Sequence, residues 1–123
     1  MTQTTQEPLR VVFCIGITQN FFDLPTGEGL SVWKGFSRMM ADLGAMPGIN
    51  VLGAMDDDRL MVGPSTTSPW TVYIMADVDC HQSVIDACNL FRTTPVNEYS
   101  LWRYAKVEAR IGRPLTIPDA ARV

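Results

Sequence analysis

Histidine is almost missing from this chain, cysteine is scarce, and no apolar run approaches the length of a membrane span. The three cysteines among 123 residues, Cys14, Cys80 and Cys88, form no Cys-x-x-Cys pair and are odd in number, which excludes a disulfide framework. Cys14 and Cys88 fall in apolar runs and read as small core residues, whereas Cys80 falls in the first turn of a helix beside Asp79. The apolar runs stop far short of the roughly 18 residues that a transmembrane helix needs, so no membrane association is expected. Charge is sparse at 19%, and its balance is acidic, with a formal net charge of -3. That balance argues against a nucleic-acid partner, whose phosphates require a basic face. No charged-then-apolar leader opens the chain, and "MTQTTQEP" reads as a polar arm. The expectation is a cytoplasmic protein.

What the chain has instead is apolar bulk, 46% of its residues. A chain of this length makes one domain, large enough to bury roughly two-thirds of its unfolded surface. Residues 9–111 are expected to form it, between an arm at 1–8 and a proline-bearing tail at 112–123. "LRVVFCIGIT" (9–18) is a continuous apolar, β-branched run, the mark of a strand covered on both faces. "QNFFDLPTGEG" (19–29) is a loop punctuated by Pro25, Gly27 and Gly29. From Glu28 to Met46, apolar residues recur at spacings of three and four, which predicts an amphipathic helix stopped by Pro47-Gly48. "INVLGAM" is a strand, the three aspartates follow, and "RLMVG" is strand-like again. "PSTTSP" is a turn-rich connection to a strand at 70–78, "WTVYIMADV". Asp79 reads as the N-cap of a second helix, with Gln82 completing a capping-box pattern. That helix buries Val84, Ala87, Cys88 and Phe91 and ends near Arg92, because Thr94 precedes a proline. "YSLWRYAKVEARI" (99–111) alternates as the last strand.

The order β-α-β-β-α-β predicts an α+β, ferredoxin-like fold, an antiparallel sheet with two helices on one face. Such a sheet leaves its second face in water, yet two of its strands are apolar on both sides. A monomer seldom exposes more than about 600 Å² of contiguous apolar surface. The expectation is therefore a homodimer packed sheet against sheet.

Element order, size and doubly apolar strands resemble the dimeric α/β-barrel superfamily of small monooxygenases, muconolactone-type isomerases, cyclases and EthD-like proteins. The strings "FCIGITQNFFDLP", "MDDDRLMVGPST", "PWTVYIMADV", "ACNLFRTTPV" and "LWRYAKVEARIGRPL" resemble more closely the IacB-like small proteins of indole-3-acetate catabolism gene clusters. The resemblance implies a role in bacterial breakdown of an aromatic acid and carries over no catalytic residue. In several cyclases of the superfamily a histidine-bearing segment after the second helix lines the pocket. Here that stretch is "RTTPVNE", with Arg92 and no histidine, which speaks against a histidine base or haem ligand.

Several residues are candidates for chemistry. In "MDDDRL", an extended chain places Asp56 and Asp58 on one face about 7 Å apart, with Asp57 and Arg59 on the other. Three readings stand open: a turn served by aspartates, an Asp–Arg orienting pair, and a hard-cation site, which wants six or more oxygens. No metal or organic cofactor is expected. His81, the one histidine, is a candidate base or a solvated helix-start residue. Arg92 is a helix C-terminal cation or a two-pronged clamp for a carboxylate. Asn20 and Phe22 follow the first strand in a loop placed to roof a pocket. Trp33, Tyr73, Trp102 and Tyr104 read as core, dimer contacts or pocket walls. Two functions follow. One is a cofactor-independent isomerase, cyclase or monooxygenase acting on a small aromatic acid. There Asp58, Tyr73 or His81 exchanges the proton, and Asn20, Phe22, Arg59, Arg92 and Trp102 hold the ligand. The other is a non-catalytic protein that binds the intermediate or assists an oxygenase.

Overall fold

The computed structural model describes residues 7–63 and 69–118. Most of the polar arm, "PSTTS" of the predicted connection and the end of the tail lie outside the described residues. The chain order is β1 (Leu9–Ile17), α1 (Gln19–Phe22), α2 (Gly29–Ala45), β2 (Ile49–Asp56), β3 (Val72–Val78), α3 (His81–Thr93), β4 (Pro95–Val96), β5 (Tyr99–Ser100), a 3-10 turn (Leu101–Arg103) and β6 (Ala105–Gly112). Four strands form one antiparallel sheet in the order β2-β3-β1-β6. This α+β arrangement is compatible with the ferredoxin-like plan. No helix among the described residues is long and apolar enough to cross a membrane.

Side-chain alternation sorts the sheet into two faces. Val11, Phe13 and Ile15 of β1, with Ile74, Ala76 and Val78 of β3, join the buried stripes of α2 and α3 in a single core. The stripe of α2 is Val32, Phe36, Met39 and Leu43, the three-and-four spacing that winds one face of a helix toward the sheet. That of α3 is Val84, Ala87 and Phe91. Phe13, Ile15, Met39, Leu43, Ile74 and Phe91 are fully withdrawn from water, each stabilising the fold by about 1.5–3 kcal/mol. Helix α2 stops where predicted. Gly48 takes φ +83°, open to glycine at no steric cost, and the Asp79 carboxylate fills the space a side chain would need.

Several expectations are corrected. "QNFF" forms a single helical turn, because the Thr18 hydroxyl and the Asn20 amide both donate to the Arg103 carbonyl and pin the chain there. "RLMVG" pairs with nothing in the described sheet and leaves Leu60 and Val62 in solvent, since the chain leaves the ladder at Asp56. Cys80, not Asp79, occupies the N-cap of α3. Asp79 accepts the Ser83 hydroxyl at 2.6 Å instead, and Gln82 donates to Asp86 rather than closing a capping box. The predicted strand at 99–111 is two pieces. Tyr99–Ser100 turns back on Pro95–Val96 around Asn97, held at φ 52°, a left-handed position that asparagine tolerates. The 3-10 turn then precedes β6. Cys14 is buried on the sheet face away from the helices, and Cys88 is only half-buried.

A bulge sets the edge strand. Val51 pairs with Ala76 and Gly53 with Met75, so Leu52 is an extra residue in β2. Before it, Ile49 and Val51 lie on the helix-covered face. Beyond it the parity reverses, and Ala54 and Asp56 take that face while Met55 joins Tyr73 on the other.

The face away from the helices is mixed. Met75 pairs with Val12, and Cys14 lies between Tyr73 and Glu108. Arg10 and Asp77, also paired across β1 and β3, form an ion pair at 2.5 Å.

Candidate functional site

At one end of the sheet, β1 and β2 finish while β3 begins. There the sheet and α2 diverge around a cavity of about 300 Å³. Ile17, Val72, Trp33 and Phe36 form its apolar walls, and Asp56, Asp57, Asp58 and Thr71 its polar rim. A smaller apolar hollow, bounded by Phe21, Trp33 and Phe36, adjoins it.

The aromatic wall is built from local sequence. Trp33 and Phe36 stand three residues apart on α2, so they share a face. Their rings meet edge to face at 5.9 Å, and Trp33 meets Phe21 the same way at 6.0 Å. Phe22 continues the chain outward against Phe21 at 5.3 Å. Such contacts hold each ring at a set angle, worth about 0.5–1.5 kcal/mol beyond buried area. Trp33 nonetheless keeps 52% of its surface exposed at the cavity mouth.

The aspartates arrive there through the bulge and a turn. Asp56 closes β2 opposite Val72, and its side chain accepts the Asp58 backbone N–H at 3.3 Å, an aspartate-type turn. The Asp57 N–H donates to the Thr71 carbonyl at 3.0 Å, which ties the turn to the entrance of β3. The aspartates thus form a turn that borders the cavity. Arg59 is exposed and makes no ion pair with the aspartates among the described residues. Among the described residues, no three histidine, cysteine, aspartate or glutamate side chains converge as metal ligands.

The remaining candidates are dispersed. Tyr73 lies on the opposite face of the sheet, yet its hydroxyl reaches the Trp70 carbonyl at 3.1 Å and the Asp57 carboxylate at 3.4 Å. It touches the cluster through Asp57 without lining the cavity. His81 begins α3 at the far end of β3, about 20 Å from the aspartates by strand length, and is exposed. Arg92 and Trp102 come together at the other edge of the sheet, with the guanidinium 4.7 Å from the indole centre. Asn20 borders a polar hollow of about 480 Å³ together with Asp23, Glu28 and Arg103. Its amide donates to the Arg103 carbonyl at 3.1 Å.

Among the described residues, two groups depart from ordinary acidity, both outside the aspartate cavity. The hydrogen bond from Ser83 holds the Asp79 carboxyl below its usual range. Burial pushes the Cys88 thiol up, so it stays neutral at physiological pH.

Sequence reasoning did not single out Ile17, Phe36 and Thr71 as cavity residues. The Trp33-x-x-Phe36 spacing was the available signal, but it is equally the signature of a core stripe. No protein-family model matches the chain, and no curated protein is similar to it.

Proposed function

We propose that this is a ferredoxin-like protein of the dimeric α/β-barrel type that takes a flat aromatic ring into the Trp33–Phe36 cavity and exchanges a proton with it through Asp58. The observation that carries this reading is that Asp56, Asp57 and Asp58 border the same partly open cavity as the Trp33 and Phe36 rings. An aromatic wall holds a ring by stacking, and a carboxylate at the rim removes a proton from an acidic C–H, N–H or O–H and returns it to another atom. That step is an isomerisation or cyclisation, with no change in redox state and no cofactor. The resemblance of the sequence to IacB-like proteins supports assigning such chemistry to the breakdown of an aromatic acid. Three carboxylates repel an anion, so the ring enters and the ligand's acid group points to solvent.

A second copy packed on the open sheet face completes the proposal. Met55 and Met75 are exposed there beside Tyr73 and Val12. Burying them removes apolar surface from water. A stable monomer in sedimentation at micromolar concentration would refute this packing.

A non-catalytic binding role is the second reading. It is favoured by the fact that neither Tyr73 nor His81 lines the cavity with Asp58, which leaves the acid without a partner of different chemistry. Incubating the protein with indole-3-acetate and its ring-hydroxylated derivatives, with product analysis and thermal shift, separates the two. Under the catalytic reading Asp58→Asn lowers turnover by about 10²–10⁴-fold while the fold persists. A variant that turns over normally removes Asp58 from the chemistry. Ligand-raised melting temperature without any product assigns the protein to binding.

A further inference from the structure

At the β6 edge of the sheet, α3 lies along the strand and leaves a groove of about 330 Å³. Val84, Ile85 and Cys88 form its helical wall, Val107 and Ala109 its sheet wall, and Trp102 with Arg92 its end. We propose that this groove binds a small organic monocarboxylate with an apolar body, its carboxylate held by Arg92 and its body lying between α3 and β6.

Four observations converge on that chemistry. Arg92 is the one charged residue among those lining the groove, and no carboxylate ion-pairs with it among the described residues. Its guanidinium lies over the Trp102 ring at 4.7 Å. Stacking uses the flat face of the cation and leaves its N–H edges available for a two-pronged contact with a carboxylate. Apart from Asn89 the walls are apolar, no lining residue is acidic, and burial keeps the Cys88 thiol protonated, so an anion meets no repulsion from them. The volume stands at the lower end of the range for small-molecule sites, about 300–1,000 Å³, which suits a small acid rather than a cofactor. The neighbouring hollow around Arg103 and Lys106 also carries positive charge, but Thr18, Asn20 and Ser100 line it with polar groups. Its apolar lining is the two rings Tyr99 and Trp102, with no aliphatic wall of the kind that Val84, Ile85, Val107 and Ala109 give the α3–β6 groove.

This site is separate from the aspartate cavity, and its occupant is recognised by the opposite charge. The probe is phenylacetate, with phenylacetamide as its neutral twin, each titrated calorimetrically into the intact chain. Phenylacetate is expected to bind at least about tenfold more tightly than the amide, since a charged hydrogen-bond pair is worth more than a neutral one. Amide resonances of Ile85, Asn89, Val107 and Ala109 should shift on titration. Arg92→Gln should abolish the preference for the acid, and Arg92→Lys should retain part of it, because lysine keeps the charge and loses the fork. Asp58→Asn should leave the shifts at Ile85, Asn89, Val107 and Ala109 unchanged, whatever it does to those at Trp33 and Thr71, so failure of the cavity proposal and failure of this one are told apart. Equal affinity for acid and amide, an unaltered Arg92→Gln variant, or shifts confined to Trp33 and Thr71 or to Thr18 and Lys106 would overturn the assignment. If Arg92→Gln does not fold, the acid-to-amide ratio and the shift map of the unaltered protein decide alone.

Discussion

Two phenylalanines on this chain should respond to truncation by very different amounts. Phe91 sits on α3 with none of its surface exposed, facing the sheet through the core. Removing its ring leaves a cavity that the surrounding β1 and β3 side chains cannot fill by small movements, and the expected cost is about 3–5 kcal/mol. That is a large share of a total stability of about 5–15 kcal/mol. Phe22 keeps 65% of its surface in water and has one ring contact, the edge-to-face pair with Phe21. Losing that contact and a third of the ring's burial should cost about 1 kcal/mol. With about 4 °C of melting temperature per kcal/mol for a domain of this size, Phe91→Ala should melt roughly 12–20 °C lower and Phe22→Ala roughly 4 °C lower. Urea unfolding followed by circular dichroism, with the slope of the transition checked for constancy, measures both. The reasoning fails if Phe22→Ala loses as much as Phe91→Ala. The outer end of the aromatic chain would then be covered in solution, and Phe22 would belong to an interface rather than to the cavity mouth.

Two further outcomes are specific. Ser83→Ala removes the hydroxyl that donates to Asp79 at 2.6 Å, so the Asp79 pKa should rise toward its ordinary value in a carboxyl-detected NMR titration. The sign follows from the depressed pKa of the folded state. This carboxylate contributes stability above its unfolded pKa and loses it as pH falls through the folded value, so the variant should narrow the stability gap between neutral and acid pH. A titration that does not move would assign the depression to the backbone groups at Cys80. In a double-mutant cycle, Arg10→Ala with Asp77→Ala should show a coupling of about 1 kcal/mol, because the pair is charge-assisted but only part-buried. Coupling near zero would mean that solvent screens it completely.

Much of the architecture was legible in residue order because periodicity is a local property. The three-and-four spacing of Val32, Phe36, Met39 and Leu43 and the stop at Pro47-Gly48 located α2 to within a residue or two. The continuous apolar run at 9–18 located β1, a central strand paired on both edges. Legibility failed where a segment's state depends on a partner. "RLMVG" has strand composition but no ladder to join, and "YSLWR" alternates like a strand while its chain is folded into a hairpin and a turn. Asp79 carried the signature of an N-cap, and its carboxylate was drawn one position away by Ser83 and by the space left at Gly48.

The candidate site divides along the same line. The residue types at the end of β2 and the apolar stripe of α2 were determined by the sequence alone, since composition and spacing require no long-range contact. Which face of the sheet Asp56 takes was decided only in the tertiary structure. A strand has a period of two, so the extra residue at Leu52 exchanges the two faces for everything beyond it. That reversal puts Asp56 opposite Val72 on the helix-covered face and sends Met55 to the other. The meeting of Arg92 with Trp102 is of the same kind. They are ten residues apart in the chain, and they come together because the β4–β5 hairpin folds the 3-10 turn back against the end of α3.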